Sequence, residues 1–397
     1  MRVAYYNHTS AVSGAEINLM VTAKHYTKVH PIIFAPEGEL LDRARKDWLE
    51  VVPLPSFNAR LSRNPLRLAA GAAGMIKAGR QLSEAVRAYG IDVIHANSLR
   101  AGMMASLFYW HHRIPVIWHL HDIPPKGLIG KVIRMYALWA AQSVIAISES
   151  VMKDYQKLGE RIHLVHNGAV LSEFSGQEKA YSREKIRSEL HTPQDGRVMT
   201  IIGQIAPWKR QADAIRALHA LLQHGEENYL WIVGEPKFRQ ENEQYLEELH
   251  RLADQLKVTK YIRFTGFRED VDEICCASDL LLLCSENEPF GRVIIEAMAQ
   301  GTPVIATNGG GVAEIIKHGR SGLLYTTGNI MQLVQCIQDL QRMEPLRRLI
   351  SDNAIERIKE HFSIGQAAAK TEMIYMQAMN GGTGINRGLR QTKGVAK

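Results

Sequence analysis

The chain has 397 residues, 46% hydrophobic and 22% charged, a globular composition long enough for two cores and unlike a disordered or fibrous one. Its formal net charge of +7 is uneven: residues 1–180 carry 21 Lys+Arg against 14 Asp+Glu, and residues 181–397 carry 27 of each. No apolar stretch is long enough to span a bilayer, the opening run MRVAYYNHTS reads as a strand and not a leader peptide, and four cysteines without C-x-x-C spacing (Cys275, Cys276, Cys284, Cys336) read as reduced, buried thiols.

Short apolar runs alternate with helical patterns from end to end, which predicts a parallel α/β architecture. In the first half, strands are expected at Val3–Tyr6, Pro31–Ala35, Val51–Leu54, Val93–Ala96, Val116–Leu120, Ser143–Ile147 and Ile162–Val165. Ser13-Gly14-Ala15-Glu16 follows the first strand and opens a helix, where Gly14 would let a phosphate or sugar approach the backbone. A long helix is expected over Pro65–Tyr89. From Arg60 to Arg134 the chain holds 11 basic and 3 acidic residues, with Leu128, Ile129, Val132 and Ile133 among them. A single-sign region of this kind points to an anionic partner. No zinc finger, RRM signature or aromatic–basic interleaving makes that partner nucleic acid. Trp118-His119-Leu120-His121-Asp122 ends the fifth strand, so His119 and His121 share one face at a strand end. A metal pair there would want a third ligand, and none is apparent. Ser148-Glu149-Ser150 reads as a helix N-cap and Asn167-Gly168 as a turn. The polar stretch Ser172 to Gln194, with a short helical piece, reads as the linker between domains spanning 1–178 and 192–362.

The second half repeats the pattern, with strands expected at Val198–Ile202, Leu230–Val233, Ile262–Thr265, Leu280–Cys284, Val304–Ala306 and Leu323–Tyr325. Asp270-Val271-Asp272 has the D-x-D form of a metal motif but opens a helix, so it reads as capping. In SENEPFGRVIIEAM, Ser285 to Met298, two carboxylates lie eight positions apart, Glu288 in a turn and Glu296 well inside a helix. Their separation of very roughly 10 Å suits a diphosphate at the helix N-terminus with sugar hydroxyls on either side. Gly309-Gly310-Gly311 is a second candidate phosphate cradle. Closing helices are expected over Asn329–Glu360 and Ile364–Met379, followed by a Gly-rich basic tail over 380–397 that reads as disordered.

The pattern E-P-F-G-x-x-x-x-E-A-M-x-x-G-x-P-V-I-A, from Glu288 to Ala306, resembles the retaining glycosyltransferases of family 4. That resemblance implies the GT-B fold: two Rossmann-like parallel-sheet domains facing a central cleft, with the last helix (363–379) returning to the first domain. It implies that Glu288 faces a donor hexose, that Glu296 holds the ribose, and that His121, with His119 as second choice, meets the hexose near the reaction centre. Gly14 matches the family's Gly-rich loop, with one glycine where two are common. In Gly203-Gln204-Ile205-Ala206-Pro207-Trp208-Lys209-Arg210 the family reads G-R-x-x-x-x-K: Lys209 keeps its place against the diphosphate, Gln204 replaces the arginine, and Arg210 stands one position out of register. Arg268 falls beside the nucleotide base, and Phe290, Gly291 and Arg292 at the start of the donor-binding helix. The implied activity is hexosyl transfer from a UDP- or GDP-sugar to a glycan or lipid-linked acceptor, with retention and without a metal or other cofactor. The implied setting is cell-surface polysaccharide or glycolipid synthesis, in the cytoplasm and peripheral to the anionic inner face of the membrane. The alternatives are a UDP-sugar 2-epimerase of the same fold and a non-catalytic sugar-nucleotide binder. An NAD(P) oxidoreductase would want G-x-G-x-x-G, which Ser13-Gly14-Ala15 lacks.

Overall fold

A computed structural model describes residues 1–56, 65–124, 127–171 and 174–380, with backbone alone for 65–70 and 72. Arg60, Arg63, Lys126, the Arg67 side chain and the basic tail beyond Asn380 lie outside that description. The chain forms two compact units, Met1–Asn167 with Ile364 onward, and Gly168–Ser363.

The first unit carries seven parallel strands: β1 Arg2–Tyr6, β2 His30–Pro36, β3 Glu50–Leu54, β4 Val93–Ala96, β5 Val116–Leu120, β6 Ser143–Ala146 and β7 Ile162–Leu164. Their order is β3-β2-β1-β4-β5-β6-β7. The second unit carries six: β8 Arg197–Ile202, β9 Asn228–Val233, β10 Ile262–Gly266, β11 Leu280–Leu283, β12 Val304–Thr307 and β13 Leu323–Tyr325, in the order β10-β9-β8-β11-β12-β13. Both sheets reverse direction of growth in the middle, between β1 and β4 and between β8 and β11. Open parallel sheets bind ligands at that switch point, beyond the strand C-termini. Helices cover both faces, so β4 (VIHA) and β11 (LLLL) are buried along their whole length, which is why β11 reads as an unbroken apolar run and β4 as one broken only by His95. Close approach is demanded at Gly102, where a Cβ would lie 2.3 Å from the buried Trp118 indole of β5.

Four expectations are corrected. The stretch expected as a linker contains the helix Gly176–Glu189, which belongs to the second unit. Its Arg187 is fully buried and donates to the carbonyls of Ala277, Pro193, Gln194 and Gly196 and to the Asp279 carboxylate, the full satisfaction that a buried guanidinium requires. The helix expected over Asn329–Glu360 is two, Ile330–Arg342 and Glu344–His361. They part at Met343 (φ −102, ψ 83), because in a continuous helix Pro345 would have no N–H for the Gln341 carbonyl and its ring would clash with that carbonyl, whereas proline is tolerated in the first turn of a new helix. Asp270 does not cap its helix with its side chain but binds Arg268. All four cysteines are free; Cys276 is only half-buried.

The helix Ile364–Asn380 packs in the first unit. Ala367, Ile374, Tyr375 and Ala378 join the core around β1, and Glu372 accepts from the N–H groups of Thr27 (2.8 Å) and Lys28 (2.7 Å).

Candidate functional site

In the second unit, loops following β8, β11 and β12 interlock at the switch point. Glu286 N–H donates to the Trp208 carbonyl (2.8 Å), tying the β11 loop to the β8 loop. Gly311 N–H donates to the Glu288 carbonyl (2.9 Å). Gly310 lies against the same peptide at φ +63, where a Cβ would stand 1.9 Å from the Glu288 oxygen. Two of the three glycines expected as a phosphate cradle, Gly310 and Gly311, thus position Glu288, and the Gly311 N–H is engaged in doing so. Onto this frame Lys209 Nζ brings its charge 2.7 Å from Glu288 Oε2, with both side chains largely buried. The ammonium also lies 4.3 Å from the Trp208 ring. Gly291, left-handed at φ +96, turns the chain into the helix Arg292–Gln300, whose first N–H groups have no intrahelical acceptor. One turn on, Arg292 pairs with Glu296 at 2.9 Å. Burial pushes the Glu296 carboxyl up, and Arg292 partly offsets this.

The other predicted residues are engaged with their own neighbours. Gln204 donates through Nε2 to the Lys237 carbonyl (2.8 Å). Arg210 is held by the buried Asp213 at 2.7 Å. Arg268 is clasped by Asp270 and Glu189. The Phe290 ring is fully buried near Phe362.

In the first unit, Gly14 opens the helix Gly14–Ala23, and a Cβ there would meet nothing within 4 Å, so the space above it is open. His119 and His121 share a face as expected, with ring centroids 4.1 Å apart. Their partners were not legible in the sequence. His121 Nε2 lies 2.8 Å from Asn97 Oδ1, at the end of β4. An amide oxygen only accepts, so the ring hydrogen is on Nε2 and Nδ1 keeps its lone pair. His119 Nδ1 meets His95 Nε2 at 3.0 Å, and His95 Nδ1 meets the Tyr375 hydroxyl at 2.7 Å. Among the described residues, no group of three or more His, Cys, Asp or Glu is placed to hold a metal.

Burial lowers the pKa of all three histidines, to about 3 for His95 and about 4 for His121. They are therefore neutral when folded, whereas the unfolded chain takes up their protons near 6.5. As pH falls from about 6.5 toward 4, the unfolded state binds more protons and stability is lost. Melting temperatures should hold steady above about pH 7 and fall below it; a constant value down to about pH 5 would contradict this.

A profile of Glycosyltransferase Family 4 matches residues 12–173, and one of Glycosyl transferases group 1 matches residues 182–357. The chain belongs to glycosyltransferase family 4. This glycosyltransferase has the GT-B fold of its structural neighbours. The Anabaena protein HepE, solved with UDP and glucose, superposes with a TM-score of 0.80 at 25% identity, over 94% of this chain and 98% of that one. HepE solved with UDP-glucose gives 0.79 at 26% identity, over 94% and 99%. N-acetyl-alpha-D-glucosaminyl L-malate synthase of Bacillus anthracis is 27% identical over 281 residues, 67% of this chain and 69% of that protein. D-inositol 3-phosphate glycosyltransferase of Corynebacterium efficiens is 26% identical over 391 residues, 93% and 87% of the two chains. Among the described residues, no helix of the glycosyltransferase is long and apolar enough to cross a membrane.

Proposed function

We propose that this glycosyltransferase moves a hexosyl unit from a UDP-sugar to a glycan or lipid-linked acceptor, with retention at the anomeric carbon and without a metal. The observation that carries this reading is the Lys209–Glu288 pair at the switch point of the second sheet, one residue short of the Pro289-Phe290-Gly291 turn. Each partner holds the other in place before substrate arrives, so the site is preorganised. Lys209 and the N-terminus of the helix Arg292–Gln300 take the diphosphate, Glu288 accepts from hexose hydroxyls, and Glu296 accepts from the ribose. Family resemblance gives His121 a donor-sugar hydroxyl, which its Nδ1 lone pair is suited to accept. In the reaction the anomeric C–O bond to the diphosphate breaks and a bond to the acceptor oxygen forms on the same face. The acceptor's proton passes to the leaving phosphate, so the protein's task is to stabilise that charge. The choice of UDP over GDP rests on the complexes of HepE.

Proton NMR during slow hydrolysis of UDP-glucose tests the stereochemistry. α-Glucose should appear first, at a rate EDTA does not change. β-Glucose appearing first, or a rate lost to EDTA and restored by Mn²⁺, would overturn the reading.

The first unit also suits an anionic membrane surface. On the helix Gly127–Ala140, Leu128, Val132, Met135 and Trp139 recur at helical spacing and are exposed, as is Ile129, with Leu128 at 78% and Trp139 at 69%. Ile133, also expected there, is half-buried. Lys131, Lys77 and Arg80 are exposed cations of the same unit, and each basic residue near a charged leaflet is worth about 1 kcal/mol. Co-sedimentation with liposomes should rise with anionic lipid, fall with salt, and drop for Trp139→Ser. Equal binding to neutral vesicles would refute the membrane contact.

A further inference from the structure

The three histidines of the first unit belong to a longer buried chain. Tyr375, on the helix Ile364–Asn380, places its hydroxyl 2.6 Å from that of Tyr5 and 3.4 Å from that of Tyr26, and 2.7 Å from His95 Nδ1. His95 passes the chain to His119 at 3.0 Å. Tyr5, Tyr375, His95 and His119 are all buried. Alongside Tyr5, His95 and His119 lies a space of about 10 Å³, lined also by Asn18 and Asn167. Three buried polar atoms of these residues have no protein partner: His119 Nε2, Asn18 Oδ1 and Asn167 Oδ1. Buried polar atoms are rarely left so, and the space matches what one water molecule occupies.

Counting hydrogens decides the direction of the chain. Each neutral imidazole carries one N–H. If hydrogens run from His119 toward Tyr375, His119 Nε2 is a lone pair. One water with two hydrogens would then face three acceptors, and one stays unsatisfied. If they run from Tyr375 toward His119, then Tyr375 O–H donates to His95 Nδ1 and His95 Nε2–H donates to His119 Nδ1. His119 then carries its hydrogen on Nε2. One water accepts from that N–H and donates to both asparagine oxygens, and every group is satisfied. Hydroxyls serve either direction, so the tyrosine end raises no conflict.

We propose that one internal water, bound by His119 Nε2–H, Asn18 Oδ1 and Asn167 Oδ1, closes a one-way hydrogen-bond chain from Tyr375 that fixes His95 and His119 as Nε2–H tautomers and makes Tyr375 a positioning residue for His121. The link to His121 is ring contact: His119 lies against it at 4.1 Å between centroids, the planes tilted by 40°, while Asn97 bonds its Nε2. A hydroxyl on the last helix thereby sets the seat of a ring in the loop after β5. This positioning role rests on the reading of His121 as a contact to the donor sugar; the water and the tautomers do not.

Neutron diffraction from deuterium-exchanged crystals of the full chain tests the chain without substrate. Deuterium should appear on Nε2 of both His95 and His119, with D₂O between His119, Asn18 and Asn167. Deuterium on Nδ1 of either ring, or no water at that place, overturns the chain. Tyr375→Phe tests the positioning role: turnover of UDP-glucose should fall about tenfold in kcat with the donor KM little changed, because a ring is displaced and no contact to the nucleotide is lost. An unchanged kcat in a folded Tyr375→Phe overturns the positioning role and leaves the water and tautomers to the diffraction result. A wild-type chain that turns over no sugar nucleotide counts against the functional reading alone, since the deuterium positions are read independently.

Discussion

Lys209→Ala is expected to bring the enzyme close to inactivity, with a loss of roughly 10²–10³-fold in kcat, as for removal of a donor aimed at developing charge. Gln204→Ala is expected to cost only about tenfold, because a neutral donor is worth about half a charge-assisted one and the Gln204 amide already donates to the Lys237 carbonyl. Arg210→Ala should fall nearer Gln204 than Lys209, since Asp213 holds that guanidinium at 2.7 Å. Lys209→Ala has a second consequence. It leaves the Glu288 carboxylate, only 9% exposed, without its ion-pair partner. Stability should drop by about 1–3 kcal/mol, the cost of an orphaned buried polar group. Adding Glu288→Gln should recover much of that stability without restoring turnover, a separation that denaturant titration and kinetics would read together. If Arg210→Ala proves more damaging than Lys209→Ala at saturating acceptor, the register of this motif is wrong and Arg210 carries the diphosphate.

The second large effect is expected at the two glutamates. Glu288→Ala and Glu296→Ala should each fold and each lose roughly 10²–10³-fold in kcat/KM, through removal of charge-assisted hydrogen bonds. The split between parameters distinguishes their roles. Glu288→Ala should act mainly on kcat, and it frees Lys209 from its partner. Glu296→Ala should act mainly on nucleotide affinity, and it frees Arg292. Near-wild-type kinetics for both would remove these residues from the site.

Among the described residues, all thirteen strands lie within a residue or two of where apolar runs place them, because a parallel strand covered on both faces leaves a largely continuous hydrophobic signature. Local signals did less well wherever a distant partner decides the outcome. Periodicity carried one helix across Met343, and only the missing N–H and ring of Pro345, which cannot sit one turn after Gln341 in a continuous helix, divide the two. The polar composition of 172–194 showed a short helical piece but hid its place in the second unit, where its buried Arg187 is satisfied by carbonyls up to 90 residues away. The motif Glu288 to Ala306 named the glutamates, but Gly310 reads as a phosphate loop in sequence and proves to be the residue that lets the Glu288 peptide pass. His95, Asn97 and Tyr375 carried no signal as partners of His119 and His121: the Tyr375–His95 bond spans 280 positions, and a lone histidine in an apolar strand looks like any core residue. The exposed face of the helix Gly127–Ala140 was half legible. Leu128, Ile129 and Val132 stood out beside basic residues, whereas Met135 and Trp139 join them only once the helical spacing is followed to the end.

The most direct measurement is the melting temperature of the wild-type chain and of Glu296→Ala, each with saturating UDP, GDP or ADP. A ligand at about 100 times its Kd stabilises the folded state by about 2.7 kcal/mol, a rise of several degrees for a protein of this size. Such a rise is expected for the wild type with UDP, a smaller one with GDP or ADP, and little with UDP for Glu296→Ala. No shift with any of the three, or an equal UDP shift in both proteins, would contradict a nucleotide-sugar site built on the second sheet.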